Sequence, residues 1–351
     1  MADQDPPSKS PKKPLWRSLL TLVILGLAVH LLVPQIATLK SSWLVVQGMI
    51  WWAVALAVLS QALSYLGSGF MLHAIVKLYQ EKLSTLKGVL ITMAAFSIGL
   101  VAGGWVASAA ATYGWVRREN RNGHTATLAG ALPPLLNDAV LVSVTLIGTI
   151  YLIVVHDLSN MQLIGFGIVL LVLGLVTAGG VIALNNPEKA TRFAVWLASR
   201  WAALRHKAFT PDYTIKSVKR FVAAWDFLRK GNWWRPLLGA LANIGFDMLT
   251  LYFMFIAAGY KVNLGVLFAG YGLPFMLARV AFILPGGVGV VEGSMVALYN
   301  SLNVPNAVSV VVILGYRLFS FWLPTLLGFV AATYLSGKLS SPKNKIKNQP
   351  T

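Results

Sequence analysis

The sequence predicts an all-α polytopic integral membrane protein, with about six full spans, two re-entrant hairpins and an inverted-topology repeat. Three observations lead there. Apolar residues make up 57% of the chain and charged ones 11%, with a mean hydropathy of +0.69, whereas soluble domains carry about a quarter charged residues. Several apolar runs reach the roughly 20 residues needed to cross about 30 Å of hydrocarbon. Lysine and arginine gather in short segments between those runs, and such segments accumulate on the cytoplasmic side.

Residues 1–14 form a basic tail containing Lys9, Lys12 and Lys13, which belongs in the cytoplasm. Leu15 to Val33 follows as the first span. It exceeds the 7–15-residue apolar core of a signal peptide and has no small-x-small site after it, so an uncleaved span is expected. Further apolar stretches run from Trp43 to Leu66, Leu86 to Val116, Ala126 to Val155, Met161 to Leu184, Trp233 to Gly259, Leu264 to Leu302 and Ala307 to Leu335.

Charge then decides which stretches cross. The segment from Lys77 to Lys87, with Lys82 between, leads into the stretch Leu86 to Val116, and Arg117, Arg118 and Arg121 follow it. A single crossing would split these groups across the membrane, so the stretch is expected to enter and return, turning at the small residues of GLVAGGWVASAAA. The same reasoning makes Leu264 to Leu302 a hairpin from the opposite side. Span, hairpin, span then occurs twice, over 43–155 and 233–335, in opposite orientations within one transmembrane domain from 15 to 335. This is the plan of many transporters, whose substrates sit near the midplane where broken helices meet.

The halves are joined by a span at 161–184 and by amphipathic segments over 187–230. One segment lines up Phe193, Trp196, Leu197, Trp201 and Leu204; the other lines up Ile215, Val218, Phe221, Val222, Trp225 and Leu228, with basic residues opposite. Both fit helices lying on anionic lipid at the cytoplasmic face, with regulation or partner binding as the other reading. Residues 336–351 read as a second basic cytoplasmic tail. The net charge of +18 is assigned to this topology and to anionic lipid rather than to nucleic acid.

Several chemistries are excluded as expectations. There is no cysteine, hence no disulfide or thiolate site. The histidines at 30, 73, 124, 156 and 206 are scattered, without metal-ligand spacing. No phosphate-binding G-K-[ST] loop or G-x-S-x-G nucleophile is present. Neither an enzyme nor a cofactor is expected.

Five charged residues lie deep in apolar segments: Asp138, Asp247, Glu292, Arg279 and Arg317. Each costs roughly 2.5–3.5 kcal/mol at the bilayer centre on insertion scales, so they must face one another or a wet cavity. They either hold helices together or handle a charged group. The stretch FILPGGVGVVEG, Phe282 to Gly293, explains the second possibility. Pro285 and the glycines end one helix, and a second begins near Val290. Its first-turn amides carry positive character, so Glu292 caps them, or the amides with Arg279 and Arg317 cradle an anion such as a lipid phosphate. Glu292 then meets a cationic group or a proton.

The run LPGGVGVVEGSMVALYNSLNVPNAVSVVVILGYRLFSFWLPTLLG resembles the signature of the lysylphosphatidylglycerol synthase transmembrane-region family, a flippase-like membrane domain. The matching positions are Pro285, Gly286, Gly287, Gly289, Glu292, Tyr316, Arg317, Trp322 and Pro324. Family members often carry a P-G-x-x-G-E segment in the first half, where this chain has VAGGWVAS at 101–108, without the proline or the glutamate. The soluble aminoacyl-transferase domain of the full synthases is missing, so the resemblance implies handling of lipid and not its synthesis.

Taken together, the sequence leads to the expectation of a multi-pass protein of the bacterial cytoplasmic membrane, both termini inside, that moves or assists a charged phospholipid headgroup between leaflets. Arg279 and Arg317 would engage phosphate; Glu292, with Asp247 or Asp138, a cationic moiety or proton. A proton-coupled transporter of a small anionic solute and a non-transporting scaffold for an envelope-assembly enzyme remain as alternatives, with a partner enzyme or a second copy as possible company.

Overall fold

The computed structural model describes residues 39–102, 104–120, 123–155, 160–204, 210–212, 214–215, 218–219, 222, 233–280 and 287–337. All regular structure among them is helical. Helices α1 (Leu39–Gln47), α2 (Trp51–Lys77), α3 (Thr85–Ala102), α4 (Trp105–Asn120) and α5 (Gly123–Val155) are followed by α6 (Asn160–Asn185) and α7 (Pro187–Leu204). Then come α8 (Trp234–Ala257), α9 (Leu264–Val280), α10 (Val290–Ser301) and α11 (Asn306–Arg317), which continues through a π turn (Leu318–Trp322) into α12 (Leu323–Gly337).

The solvent of this bundle is lipid. Trp51, Val154, Leu171, Leu326 and Val330 are each more than 60% exposed, an apolar exterior that water would not tolerate. With apolar surroundings on every side, helices associate through close backbone contact and interhelical hydrogen bonds rather than burial from water. The central pair, α2 and α8, shows both devices. A Cβ on Gly67 would stand 2.6 Å from the Asn243 amide nitrogen, and one on Gly239 would stand 2.7 Å from the Met71 backbone. Between them Ser64 Oγ donates to the Asn243 carbonyl at 2.8 Å, and Asn243 Nδ2 returns a bond to the Ser64 carbonyl at 3.0 Å. Because 67 meets 243 while 71 meets 239, α2 and α8 run antiparallel.

The same arrangement occurs twice. In each half a long helix is followed by a broken pair and then by another long helix: α2, α3–α4, α5, and α8, α9–α10, α11–α12. Each broken pair packs its first limb against the last helix of the other half, α3 on α12 and α9 on α5. Gly148 on α5 approaches the α9 backbone at Phe268 and Ala269; Gly328 on α12 approaches α3 at Met93 and Ser97. Gly148 and Gly328 are 180 positions apart, as are Thr145 and Thr325, each of which donates to the carbonyl four residues back, at 2.7 and 2.6 Å. Equivalent helices α2 and α8 are antiparallel, so the repeat is inverted.

Both expected breaks are present. The first lies between Ala102 and Trp105, where Gly104 takes φ +71°; the second ends at Gly289, φ +82°. α10 has 12 residues, roughly 18 Å at 1.5 Å per residue, too short to cross alone. Tyr299, fully buried, lies over Gly270 and folds α10 back on α9. Among the described residues, five helices are long and apolar enough to cross by length and composition, 51–77, 85–102, 123–155, 234–257 and 306–337. Thr85–Ala102 is among them, whereas the charge pattern predicts a hairpin limb there.

The short helix α1 has no counterpart in the sequence reading. α7 is the first expected interfacial helix, with Phe193, Trp196 and Leu197 exposed and the rings of Phe193 and Trp196 stacked 5.9 Å apart. The expected span Leu15 to Val33, the expected tails at 1–14 and from 338 on, most of the second expected interfacial segment and residues 281–286 lie outside the described residues.

Candidate polar site at the repeat interface

Gly289 is the N-cap of α10, and the carboxylate that follows three residues later turns back on it. Glu292 Oε2 accepts the Gly289 N–H at 2.7 Å, satisfying one of the amides a helix start leaves open. Its other oxygen, Oε1, receives Arg317 Nε at 2.6 Å. The two side chains are 6% and 3% exposed, so the ion pair is enclosed by protein. The Arg317 guanidinium also lies 4.2 Å from the Phe321 ring centroid, a cation–π contact one turn further along.

Tyr316, the preceding residue, faces a second carboxylate. Its hydroxyl donates to Asp247 Oδ2 at 2.5 Å, and Tyr271 donates to the same oxygen at 2.8 Å. Tyr316 and Tyr271 are buried, while Asp247, in the middle of α8, is half-buried. Gln61 and Arg317 also act on Asp247, which joins the two groups into one network. Helices α2, α8, α9, α10 and α11 each contribute a side chain.

Pro324 accounts for the backbone here. It has no N–H for the carbonyl of Ser320 four residues back. Tyr65 on α2 takes that carbonyl instead, its hydroxyl donating at 2.8 Å. The π turn Leu318–Trp322 lies immediately before the proline and after Arg317, a feature common at functional sites.

Counting charge, Glu292 and Arg317 cancel, and Asp247 has tyrosine donors but no cation of its own within hydrogen-bond range among the described residues. Among the described residues the network as ionised is therefore one negative charge in excess. Inside a membrane that surplus demands a proton or a cationic group.

The structure thus brings Glu292, Arg317, Tyr316, Asp247 and the turn residue Gly289 together. Gly287, φ +65°, stands beside them in the turn, with Ala278 only 2.8 Å from where a Cβ would be. Pro285, Gly286 and the side chain of Arg279 lie outside the described residues. Asp138 is half-buried on α5. Thr145 against Gly272 and Gly148 against Ala269 set an antiparallel register that, counted along both helices, puts position 138 at the level of position 279. Of the two roles expected for Glu292, the structure shows the cap: Glu292 binds the Gly289 N–H and also holds Arg317.

Sequence reasoning missed Tyr271, Gln61 and Tyr65. A tyrosine or glutamine in an apolar helix is an ordinary residue until a carboxylate is known to face it. A usable signal existed for the repeat: TLIG at 145–148 and TLLG at 325–328 share the 180-residue spacing. On that spacing Asn137 stands where Arg317 does and Gly67 where Asp247 does, and three residues after the turn glycine Gly104 stands Ala107, against Glu292 after Gly289. The repeat is symmetric in backbone and asymmetric in charge.

Comparison with known proteins agrees with this architecture. Residues 15–328 match the family described as the lysylphosphatidylglycerol synthase TM region. A UPF0104 membrane protein of Methanocaldococcus jannaschii is 28% identical over 134 residues, 37% of this chain and 40% of that protein. One of Pyrococcus horikoshii is 36% identical over 91 residues, 24% and 25% of the two chains. One of Methanothermobacter thermautotrophicus is 30% identical over 94 residues, 27% and 28%. The matched stretches span 40% or less of each of these three relatives. With a match covering most of its length, the chain belongs to the lysylphosphatidylglycerol synthase transmembrane-region family.

Proposed function

We propose that this protein moves, or helps to move, a phospholipid with a charged headgroup between membrane leaflets, through the interface between its two inverted halves. The observation that supports this reading is Asp247, a half-buried carboxylate in the middle of α8 that is held by two tyrosine hydroxyls, with no cation within hydrogen-bond range among the described residues. A cationic headgroup, or a proton, neutralises it. The negative balance disfavours a small anionic solute as cargo, since such a solute would enter a region already carrying surplus negative charge.

In this reading the pairs α3–α4 and α9–α10 enter the membrane from opposite sides and return, and the basic segments at 77–87 and 117–121 face the cytoplasm. Glu292 holds Arg317 in place until a lipid phosphate competes for it, with Arg279 as the second cation. Asp247 takes the cationic end. A backbone kept open by the π turn and Pro324 lets α11–α12 shift relative to α10.

The test is reconstitution in proteoliposomes with an amine-bearing phospholipid, scored from outside with a membrane-impermeant amine reagent. Exchange between leaflets should exceed that of protein-free vesicles. Exchange equal to protein-free vesicles would leave the scaffold reading in its place.

A further inference from the structure

Far from the carboxylates, where α2 ends and α8 begins, a cavity of about 300 Å³ is lined by Phe70, His73, Ala74, Lys77, Trp234 and Arg235. A wider one of about 510 Å³ adjoins it, sharing His73 and Lys77. The charges in the second are mostly matched: Lys87 pairs with Glu119, and Glu81 accompanies Lys82. The first contains no acid. Lys77 and Arg235 are exposed and have no carboxylate partner among the described residues, and Arg235 instead stacks over Trp234 at 4.9 Å. The N-terminus of α8 lies at the same place with no side-chain cap, adding positive dipole character. His73 is fixed by a hydrogen bond between Nδ1 and the Leu83 carbonyl.

This is a cationic pocket between transmembrane helices, walled by aromatic and aliphatic side chains. Basic pockets of that kind at the lysine-rich side of a membrane protein take lipid headgroups, and tryptophan favours the same depth. The apolar wall chooses between a lipid and a free anion. Phe70 lies two turns from Lys77 toward the middle of α2 and is 37% exposed, so it offers a chain-length strip leading from the charges into the hydrocarbon.

We propose that this cavity is a second lipid site, which takes the phosphate of an anionic phospholipid at Lys77 and Arg235 and lays an acyl chain over Phe70. It is separate from the Asp247 network and stands whether or not that network carries lipid.

Full-length protein in neutral detergent, titrated with phosphatidylglycerol while its melting temperature is followed, tests the site. The wild type should show a saturable rise. Lys77→Gln with Arg235→Gln should shift the midpoint at least about tenfold, Phe70→Ser should shift it in the same direction, and Arg235→Lys in place of Gln should restore part of the affinity. Arg192→Gln, an exposed cation outside both sites, should leave the midpoint unchanged, and the midpoint is read without any measurement of lipid exchange, which separates failure here from failure of the proposed lipid movement. An unchanged midpoint in the double variant overturns the site. An equal response to phosphatidylcholine overturns the role of net charge, and an equal response to inorganic phosphate overturns the lipid as occupant.

Discussion

Glu292 and Arg317 lie 25 residues apart on different helices and meet at 2.6 Å in a nearly solvent-free contact. Removing one partner leaves the other charge buried without its ion-pair partner, whereas removing both leaves a neutral gap. Glu292→Gln is therefore expected to cost about 3–5 kcal/mol, and Glu292→Gln with Arg317→Gln distinctly less than the sum of the two single changes. Thermal melting of the detergent-extracted variants measures this. Additive losses would show that the pair is not a closed unit.

The symmetric packing makes a second prediction. A methyl group at Gly148 would fall 2.4 Å from the Ala269 amide nitrogen, and one at Gly328 would fall 2.4 Å from the Met93 carbonyl oxygen. Neither site has room without a backbone shift. Gly148→Ala and Gly328→Ala should each destabilise by about 1–3 kcal/mol. Gly174→Ala, where nothing lies within 4 Å of the added carbon, should be neutral. A neutral Gly148→Ala would contradict the helix contact that relates the two halves.

Topology gives a third. The chain has no cysteine, so single cysteines placed at Ser84 and Asn122 report without background. Both should be labelled from the same side by an impermeant thiol reagent in oriented vesicles, because the charge pattern predicts that the pair α3–α4 returns to the side it leaves. Labelling from opposite sides would make Thr85–Ala102 a full crossing, as its length alone permits.

Much of this fold was legible because the bilayer imposes simple rules. Composition, run length and the placement of lysine and arginine predicted helices, the two breaks and the start of α10 at Val290, each from one-dimensional information. The Glu292–Arg317 pair was legible for the same reason: a charge in hydrocarbon must have a partner, and few were available. Tyr271 and Gln61 were not legible, since only the fold brings them to Asp247. The π turn was hidden as well; Pro324 signals a missing N–H, but that Tyr65 fills the gap depends on how α2 packs. Charge asymmetry between the halves was half visible. The absence of a glutamate near Gly104 could be read directly, yet its equivalence to Glu292 depends on the repeat register, which the TLIG and TLLG strings mark only once that spacing is known.

The central claim is that the Asp247 carboxylate handles the cationic end of a lipid, and Asp247→Asn tests it most directly. Asparagine keeps the shape and still accepts from Tyr271 and Tyr316 through its carbonyl oxygen, so the fold should survive with an unchanged melting temperature. Transbilayer exchange of an amine-bearing phospholipid in proteoliposomes should fall at least about tenfold, the equivalent of losing roughly 1.4 kcal/mol or more of differential stabilisation. Exchange at the wild-type rate in Asp247→Asn, with the protein folded and inserted, would contradict the account.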